Sequence, residues 1–364
     1  MSPQALALHA IQRAVDDAGL DVSVIDGIVP ISNSIPAEDV ISNFNLPHVG
    51  LSATLRIGGA SAVGSLGLAA TALQTHRCRY VVIYIGKNGS SGERMVQRVS
   101  QLPGYQFRRQ LEEPFGWGTP LQWYAMMCRR HMELFGTTKE HLARVSLTMR
   151  KHAQNNSHAQ MYGKPMTRED YYASPMISDP YQLFDCCLET DGGAAIIVTS
   201  EERARDLRKR PVVVSGWGVS PPQSPDDLTN RPDWNSIGLT KAAPDAYSMA
   251  GIGPHDISAL MVYDCFTFEV IQQLEEAGFC GRGEGGPFVA SGAIEMDGQL
   301  PVNPHGGLLS EGHMTGLNHL IEAVRQLRGE CTSRQLPRLQ FIGVTGWGNL
   351  GDGSMAILRR DHRG

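Results

Sequence analysis

Along the chain, apolar residues recur at helical spacing in some stretches and run unbroken in others. "LQWYAMMCRRHMELFG" (121–136), "TKEHLARVSLTMRKHAQ" (138–154) and "LIEAVRQLRGE" (320–330) carry the three-to-four-residue period of helices with one buried face. "YVVIYIG" (80–86), "PVVVSGWG" (211–218) and "LQFIGVT" (339–345) are short apolar runs and predict buried strands. Helices and strands alternate through both halves, which predicts an α/β architecture of stacked layers.

The pattern occurs twice. "AVDDAGLDVSVIDGIVPIS" (14–32) aligns without gaps on "AYSMAGIGPHDISALMVYD" (246–264), and each copy reads as a helix, an Ala-Gly stop, a short loop and a buried strand. "GGASAVGSLGLAATALQTHRCRYVVIYIG" (58–86) has the same order of parts as "HGGLLSEGHMTGLNHLIEAVRQLRG" followed by "RLQFIGVTG": a glycine loop, a long helix, a strand. "DGGAAIIV" from Asp191 matches "DGSMAIL" from Asp352. The chain therefore divides into a first half, 1–205, and a second half, 206–364, joined by "RARDLRKRPVVVSGWG" (203–218). The first half holds roughly 70 extra residues, about 100–175, too many for a plain connection, and the expectation is a separately folded segment covering a site.

Composition narrows the function. The 364 residues are 41% hydrophobic and 19% charged, a globular balance, and the net charge of −5 gives no basic excess for binding nucleic acid. Seven cysteines without CxxC pairs indicate neither a disulfide framework nor zinc clamps, and a reducing cytoplasm is the expectation. No apolar run is long enough to span a bilayer, and the first residues lack a basic start followed by an apolar stretch, so no membrane contact or export is expected.

The densest chemistry is "NPHGGLLSEGHMTGLNH" (303–319), where a metal site, an anion cradle and an acyl oxyanion hole are the candidates. His305, His313 and His319 are not spaced to share a helix face, and no acidic or thiol ligand stands at ligand spacing, so no metal is expected. "GWGNLG" (346–351) fits G-x-G-x-x-G, but "DGSMAILRR" after it reads as a strand and not as the helix that dinucleotide binding needs. Ser61 and Ser65 have no base at hand in the sequence, and Cys186-Cys187 reads as core.

The two halves, the insertion, "YDCF" (263–266), "NPHGGLLSEGHMTG" (303–316) and "GNLGDGSMAIL" (348–358) together resemble the thiolase superfamily, most closely its sterol-carrier, lipid-transfer branch. The resemblance implies a five-layered αβαβα thiolase fold, a coenzyme A ester as substrate with no permanently bound cofactor, and a homodimer. In the dimer it implies, the strand "CRYVVIYIG" (78–86) pairs across the two-fold axis. The opening strand of the family has no counterpart ahead of the first helix, and is missing or supplied by sequence outside this chain. The resemblance puts Gly59 where thiolases carry their nucleophilic cysteine, and Trp347 or Gly348 where they carry the proton-shuttling one. Both thiols of thiolase chemistry are absent.

What remains is the half of such a site that stabilises an enolate. By resemblance, His313 donates to the thioester oxygen, and Tyr263 stands where thiolases have the Asn or His that completes the oxyanion site. Asp264 is a candidate to orient Tyr263 or, equally, to serve a structural role, Asn303 and His305 to hold the loop, and Gly59 to offer its N–H to a substrate oxygen, with Gly351 in the closing loop as a further support. Cys265 reads as packing. Retro-aldol cleavage of a 3-hydroxyacyl-CoA needs a base and enolate donors but no thiol. The steroid side-chain aldolases in this branch do such chemistry and use tyrosines, with a small OB-fold partner that often carries a zinc ribbon. The alternatives are an acyltransferase whose nucleophile is displaced or supplied by a partner, and a non-catalytic acyl-CoA or lipid-binding protein.

Overall fold

The two stretches that align without gaps fold alike. In the computed structural model, which describes residues 1–32, 34–92, 94, 109–223, 228 and 230–361, each begins in a helix that ends at a left-handed glycine. Gly19 has φ 73° and ψ 32°, and Gly251 has φ 69° and ψ 30°. Only a residue without Cβ takes this conformation at no steric cost, which is why Ala-Gly marks both stops. A single 3₁₀ turn then leads into a buried strand in each copy.

The strands are β1 (Gly27–Pro30), β2 (Leu51–Ser52), β3 (Tyr80–Asn88), β4 (Met176–Ser178), β5 (Tyr181–Gln182), β6 (Asp191–Thr199), β7 (Val212–Ser220), β8 (Ile257–Met261), β9 (Phe341–Gly348) and β10 (Asp352–Arg360). The helices are α1 (Pro3–Ala18), α2 (Ala37–Phe44), α3 (Ser61–Gln74), α4 (Pro120–Phe135), α5 (Lys139–Ala153), α6 (Arg168–Ala173), α7 (Glu201–Arg205), α8 (Leu239–Ala250), α9 (Thr267–Glu276), α10 (Gly285–Ala290), α11 (Gly307–Ser310) and α12 (Leu317–Arg328). One sheet has the order β2-β1-β3-β6 and the other β7-β10-β9-β8. Helix α1 covers the first sheet and α8 the second, while α3 and α12 pack between the sheets. Their apolar side chains meet the inner faces of both sheets, as Val63, Leu66, Leu317, Leu320, Ile83 and Val344 do. Helix, sheet, helix, sheet and helix make the five layers that the resemblance implies.

The expectation that 78–86 offers a free edge for pairing across a two-fold axis is overturned. β3 is an inner strand, parallel to β1 from Gly27↔Val81 to Pro30↔Tyr84 and antiparallel to β6 from Tyr80↔Thr199 to Asn88↔Asp191. The partner that covers it, β6, lies beyond the insertion.

Of the insertion, residues 100–108 lie outside the described residues. Its helices α4 and α5 pack on the second half, although the sequence places them in the first. Arg150 on α5 donates to the Ser310 hydroxyl, His152 Nδ1 lies 3.2 Å from the Asn303 carbonyl, and Asn156 donates to the His305 carbonyl and to Glu311. The insertion thereby braces the 303–313 loop. Among the described residues, no helix is long and apolar enough to cross a membrane.

Candidate active site

Tyr263 follows β8, where the chain leaves the second sheet, and its ring is wedged between two glycines. A Cβ built on Gly59, at the start of the α3 unit, would fall 2.0 Å from Tyr263 Cζ and 2.3 Å from the Trp347 carbonyl oxygen. A Cβ on Gly316 would meet Tyr263 Cδ2 at 3.1 Å. The phenol therefore fills the space that any side chain at position 59 would need. With its residue 5% exposed, burial holds the Tyr263 hydroxyl well above its ordinary pKa, with the nearby Cys265 and Cys187 thiols pushing the same way. The group is a protonated phenol at neutral pH.

Its hydroxyl lies 3.1 Å from His313 Nε2. The other ring nitrogen of His313, Nδ1, lies 3.0 Å from Lys87 Nζ at the end of β3. The His313 backbone N–H donates to Thr190 Oγ1, which pins the loop to the segment before β6. Both imidazole nitrogens are thus engaged, and in this arrangement His313 is the hydrogen-bonded partner of Tyr263. Sequence reasoning missed Lys87. The signal was a lysine closing an otherwise apolar run, "YVVIYIGK".

Asp264 does not reach the Tyr263 hydroxyl. Adjacent side chains of an extended segment point to opposite sides, and its fully buried carboxylate accepts instead from the backbone N–H groups of Leu308 (2.8 Å) and Leu309 (3.3 Å) on α11. Gly307 is required there, because a Cβ on it would strike Asp264 Oδ2. His319 Nε2 lies 3.2 Å from Asp264 Oδ1, off the line a straight hydrogen bond needs, and its Nδ1 lies 2.9 Å from His305 Nε2. Burial, and then the neighbouring His319, hold His305 well below the ordinary histidine pKa, so it stays neutral. Asn303, in a left-handed conformation at φ 47°, clasps the backbone of Val262: its Nδ2 donates to the Val262 carbonyl and its Oδ1 accepts from the Val262 N–H, each at 2.8 Å. Asn303, His305 and Asp264 thus hold the loop beside Tyr263 by direct bonds.

Gly348 packs close to the Gly59 nitrogen: a Cβ on Gly348 would come 2.9 Å from it. Gly351 sits apart, in the β9–β10 turn at φ 119°, against Ile237 and Arg231. Trp347 donates its indole N–H to Gln272 and stacks edge-on against Tyr124. Ser61 accepts from the Ile57 N–H at the start of α3, and Cys265 is buried with its thiol pushed well up by desolvation. The "GWGNLG" loop is a tight connection between antiparallel β9 and β10 and opens no helix. Among the described residues, no group of three His, Cys, Asp or Glu side chains is placed to hold a metal ion.

Residues 223–360 match the family described as "Thiolase C-terminal domain-like". The chain is 38% identical to the "Steroid side-chain-cleaving aldolase" of Thermomonospora curvata, over 90% of this chain and 86% of that protein. It is also 38% identical to the "17-hydroxy-3-oxo-4-pregnene-20-carboxyl-CoA lyase" of Mycobacterium tuberculosis, over 89% of this chain and 86% of that one. Among solved structures, the "Ltp2-ChsH2(DUF35) aldolase" superposes with a TM-score of 0.92 at 36% identity, covering 100% of this chain and 94% of that chain.

Proposed function

This chain belongs to the thiolase superfamily, in the branch of the steroid side-chain-cleaving aldolases, and from that premise we propose that it is a carbon–carbon lyase acting by retro-aldol cleavage on a 3-hydroxyacyl-CoA. The substrate class is the coenzyme A ester of a steroid or lipid side chain, and the products are a carbonyl compound and a short acyl-CoA. The observation that carries this reading is the ring of Tyr263 occupying the space over Gly59. A thiolase needs a thiol there to take the acyl group, whereas a retro-aldolase needs a proton acceptor for the β-hydroxyl.

In the step itself the O–H bond of the substrate breaks and its electron pair forms the carbonyl. The Cα–Cβ pair becomes the enolate of the departing acyl-CoA, which is then protonated on carbon. Tyr263 exchanges the hydroxyl proton with His313 as its hydrogen-bonded partner, and a positioned acid–base group of this kind contributes about 100-fold or more. Asp264, Asn303 and His305 keep the histidine loop at hydrogen-bond distance. Coenzyme A enters as part of the substrate, and no resident cofactor is required.

The working assembly is a homodimer, joined by a small OB-fold protein of the DUF35 type; the related solved aldolase, named as an Ltp2-ChsH2(DUF35) pair, supports the second partner. The test offers the purified chain, with and without such a partner, a steroid side-chain 3-hydroxyacyl-CoA, and separately a 3-oxoacyl-CoA plus free coenzyme A. Cleavage of the first supports the lyase. Cleavage of only the second makes the protein a thiolase, and cleavage of neither makes it a binding protein.

A further inference from the structure

The bond from His313 to Lys87 gives the site a direction. Lys87 is 9% exposed, pairs across from Gly192 in the β3–β6 ladder, and sets Nζ 3.0 Å from His313 Nδ1, while His313 Nε2 stands 3.1 Å from the Tyr263 oxygen. A neutral imidazole carries one proton, so a ring linking two groups donates to one and accepts from the other. An ammonium can only donate. With Lys87 charged, Nδ1 accepts, Nε2 bears the proton and donates to the Tyr263 oxygen, and the Tyr263 hydrogen points elsewhere. With Lys87 neutral, its lone pair can accept, and every bond is free to reverse: Nδ1–H donates to Nζ, Tyr263 O–H donates to Nε2, and the Tyr263 oxygen is open to receive a proton.

We propose that Lys87 is a positioning residue that sets the direction of this chain and holds the transferred proton at its far end. The inference rests on the retro-aldol reading. With Lys87 neutral, the β-hydroxyl proton moves to the Tyr263 oxygen as the Tyr263 proton moves to His313 Nε2 and the Nδ1 proton moves to Lys87 Nζ. The Cα–Cβ bond breaks in the same step, and no net charge accumulates on the tyrosine or the histidine. The reverse movement returns a proton through Tyr263 to the enolate carbon. The residues finish as they began, and no other reactant is consumed.

Other ionisable groups surround this end of β3. Cys187 leads towards β6, with its thiol pushed up to about 12 chiefly by burial and with the Lys87 charge as the largest opposing influence. Glu189 lies 3.8 Å from Arg94, and Asp191 accepts from the Ser90 and Ser91 N–H groups. Asp264 lies beyond Cys187, bound to α11. The contact to His313 is the one that runs on to the Tyr263 oxygen.

Two measurements test the proposal. In the first, the ring nitrogens of His313 are followed by ¹⁵N NMR in the unliganded protein from about pH 6 to about pH 10, with assignment by a His313→Asn variant. In the wild type, the ring should change from the Nε2–H to the Nδ1–H tautomer as pH rises. In Lys87→Arg it should remain Nε2–H throughout, because a guanidinium does not deprotonate in this range. A wild-type ring that keeps one tautomer, or a Lys87→Arg protein that follows the wild type, overturns the idea.

The second measurement is turnover. Lys87→Arg and Lys87→Met should each lose about 100-fold in kcat with KM little changed and the circular dichroism spectrum intact. Full kcat in Lys87→Arg would mean that charge alone suffices, and the relay would be discarded. If the wild type cleaves no 3-hydroxyacyl-CoA, the functional reading fails, while the NMR result still decides the direction of the chain.

Discussion

Alanine at position 59 separates the packing account from ordinary backbone propensity, because the two predict opposite signs. Gly59 lies in the 3₁₀ turn that opens α3 and is not in the left-handed region. On backbone grounds alone, Gly59→Ala should stabilise the protein by about 0.5–1 kcal/mol. The added methyl would, however, fall 2.0 Å from Tyr263 Cζ, 2.4 Å from Tyr263 Cε1 and 2.3 Å from the Trp347 carbonyl oxygen. The ring cannot retreat freely, since Gly316 closes its other face, and the carbonyl belongs to the inner strand β9. Overpacking of this kind typically costs 1–3 kcal/mol, and with a backbone atom in the clash the upper end applies, so after the backbone gain a net loss of about 2 kcal/mol is expected.

Urea denaturation followed by circular dichroism measures that loss as a lower midpoint at unchanged slope. In a Tyr263→Ala background, two of the three closest atoms are gone and the Trp347 carbonyl remains. The cost of Gly59→Ala should then shrink by about 1–2 kcal/mol, a coupling that a double-mutant cycle isolates. A Gly59→Ala protein as stable as the wild type, or an unchanged cost in the Tyr263→Ala background, would refute the claim that the phenol occupies the vacated nucleophile space.

Tyr263→Phe keeps the ring and should leave stability within about 1 kcal/mol while lowering cleavage by about 100-fold or more; turnover near the wild-type value would remove the hydroxyl from the mechanism. Iodoacetamide at neutral pH should leave activity intact, because burial is the leading cause holding the thiols of Cys78, Cys128, Cys186, Cys187, Cys265, Cys280 and Cys331 above their ordinary value. Inactivation that acyl-CoA protects against would favour an acyltransferase. Burial raises Glu269 from 4.5 to about 8, so the native state keeps a proton that the unfolded chain has released. Stability should therefore fall as pH rises from about 4.5 to about 8, by up to about 5 kcal/mol, and Glu269→Gln should flatten that slope in urea titrations. Asp264→Ala orphans the N–H groups of Leu308 and Leu309 and should cost about 2–3 kcal/mol in the same assay, together with most of the activity as the histidine loop loosens.

The duplicated frame could be read from the chain because its signals are local. Gly19 and Gly251 stop helices for steric reasons that need no tertiary context, and the paired Asp-Gly starts of β6 and β10 stand out in the same way. Tyr263 and His313 were found through their motif positions, and the structure brings them together. Their mutual engagement was not legible, because two residues 50 positions apart do not reveal which nitrogen faces which oxygen. Lys87 was missed because a lysine ending an apolar run ordinarily reaches for solvent. The misplaced edge at β3 has a similar origin: its cover, β6, begins at Asp191, more than 100 residues after β3 begins, and local pattern says nothing about pairing at that range. For Asp264 the sequence leaves an orienting and a structural role open, and only the fold shows its carboxylate bound to the Leu308 and Leu309 N–H groups.

The relay crosses the seam between the two sheets. Gly59 and Lys87 come from the first half, Tyr263 and His313 from the second, and the insertion grips the second half while belonging in sequence to the first. Turnover is therefore a gauge of how tightly the sheets are docked. Hydrogen bonds weaken steeply with small displacement, so mild pressure or denaturant should silence the enzyme while each sheet still keeps its strands. A small molecule lodged in the seam could inhibit in the same manner, acting as a wedge that never competes with the substrate.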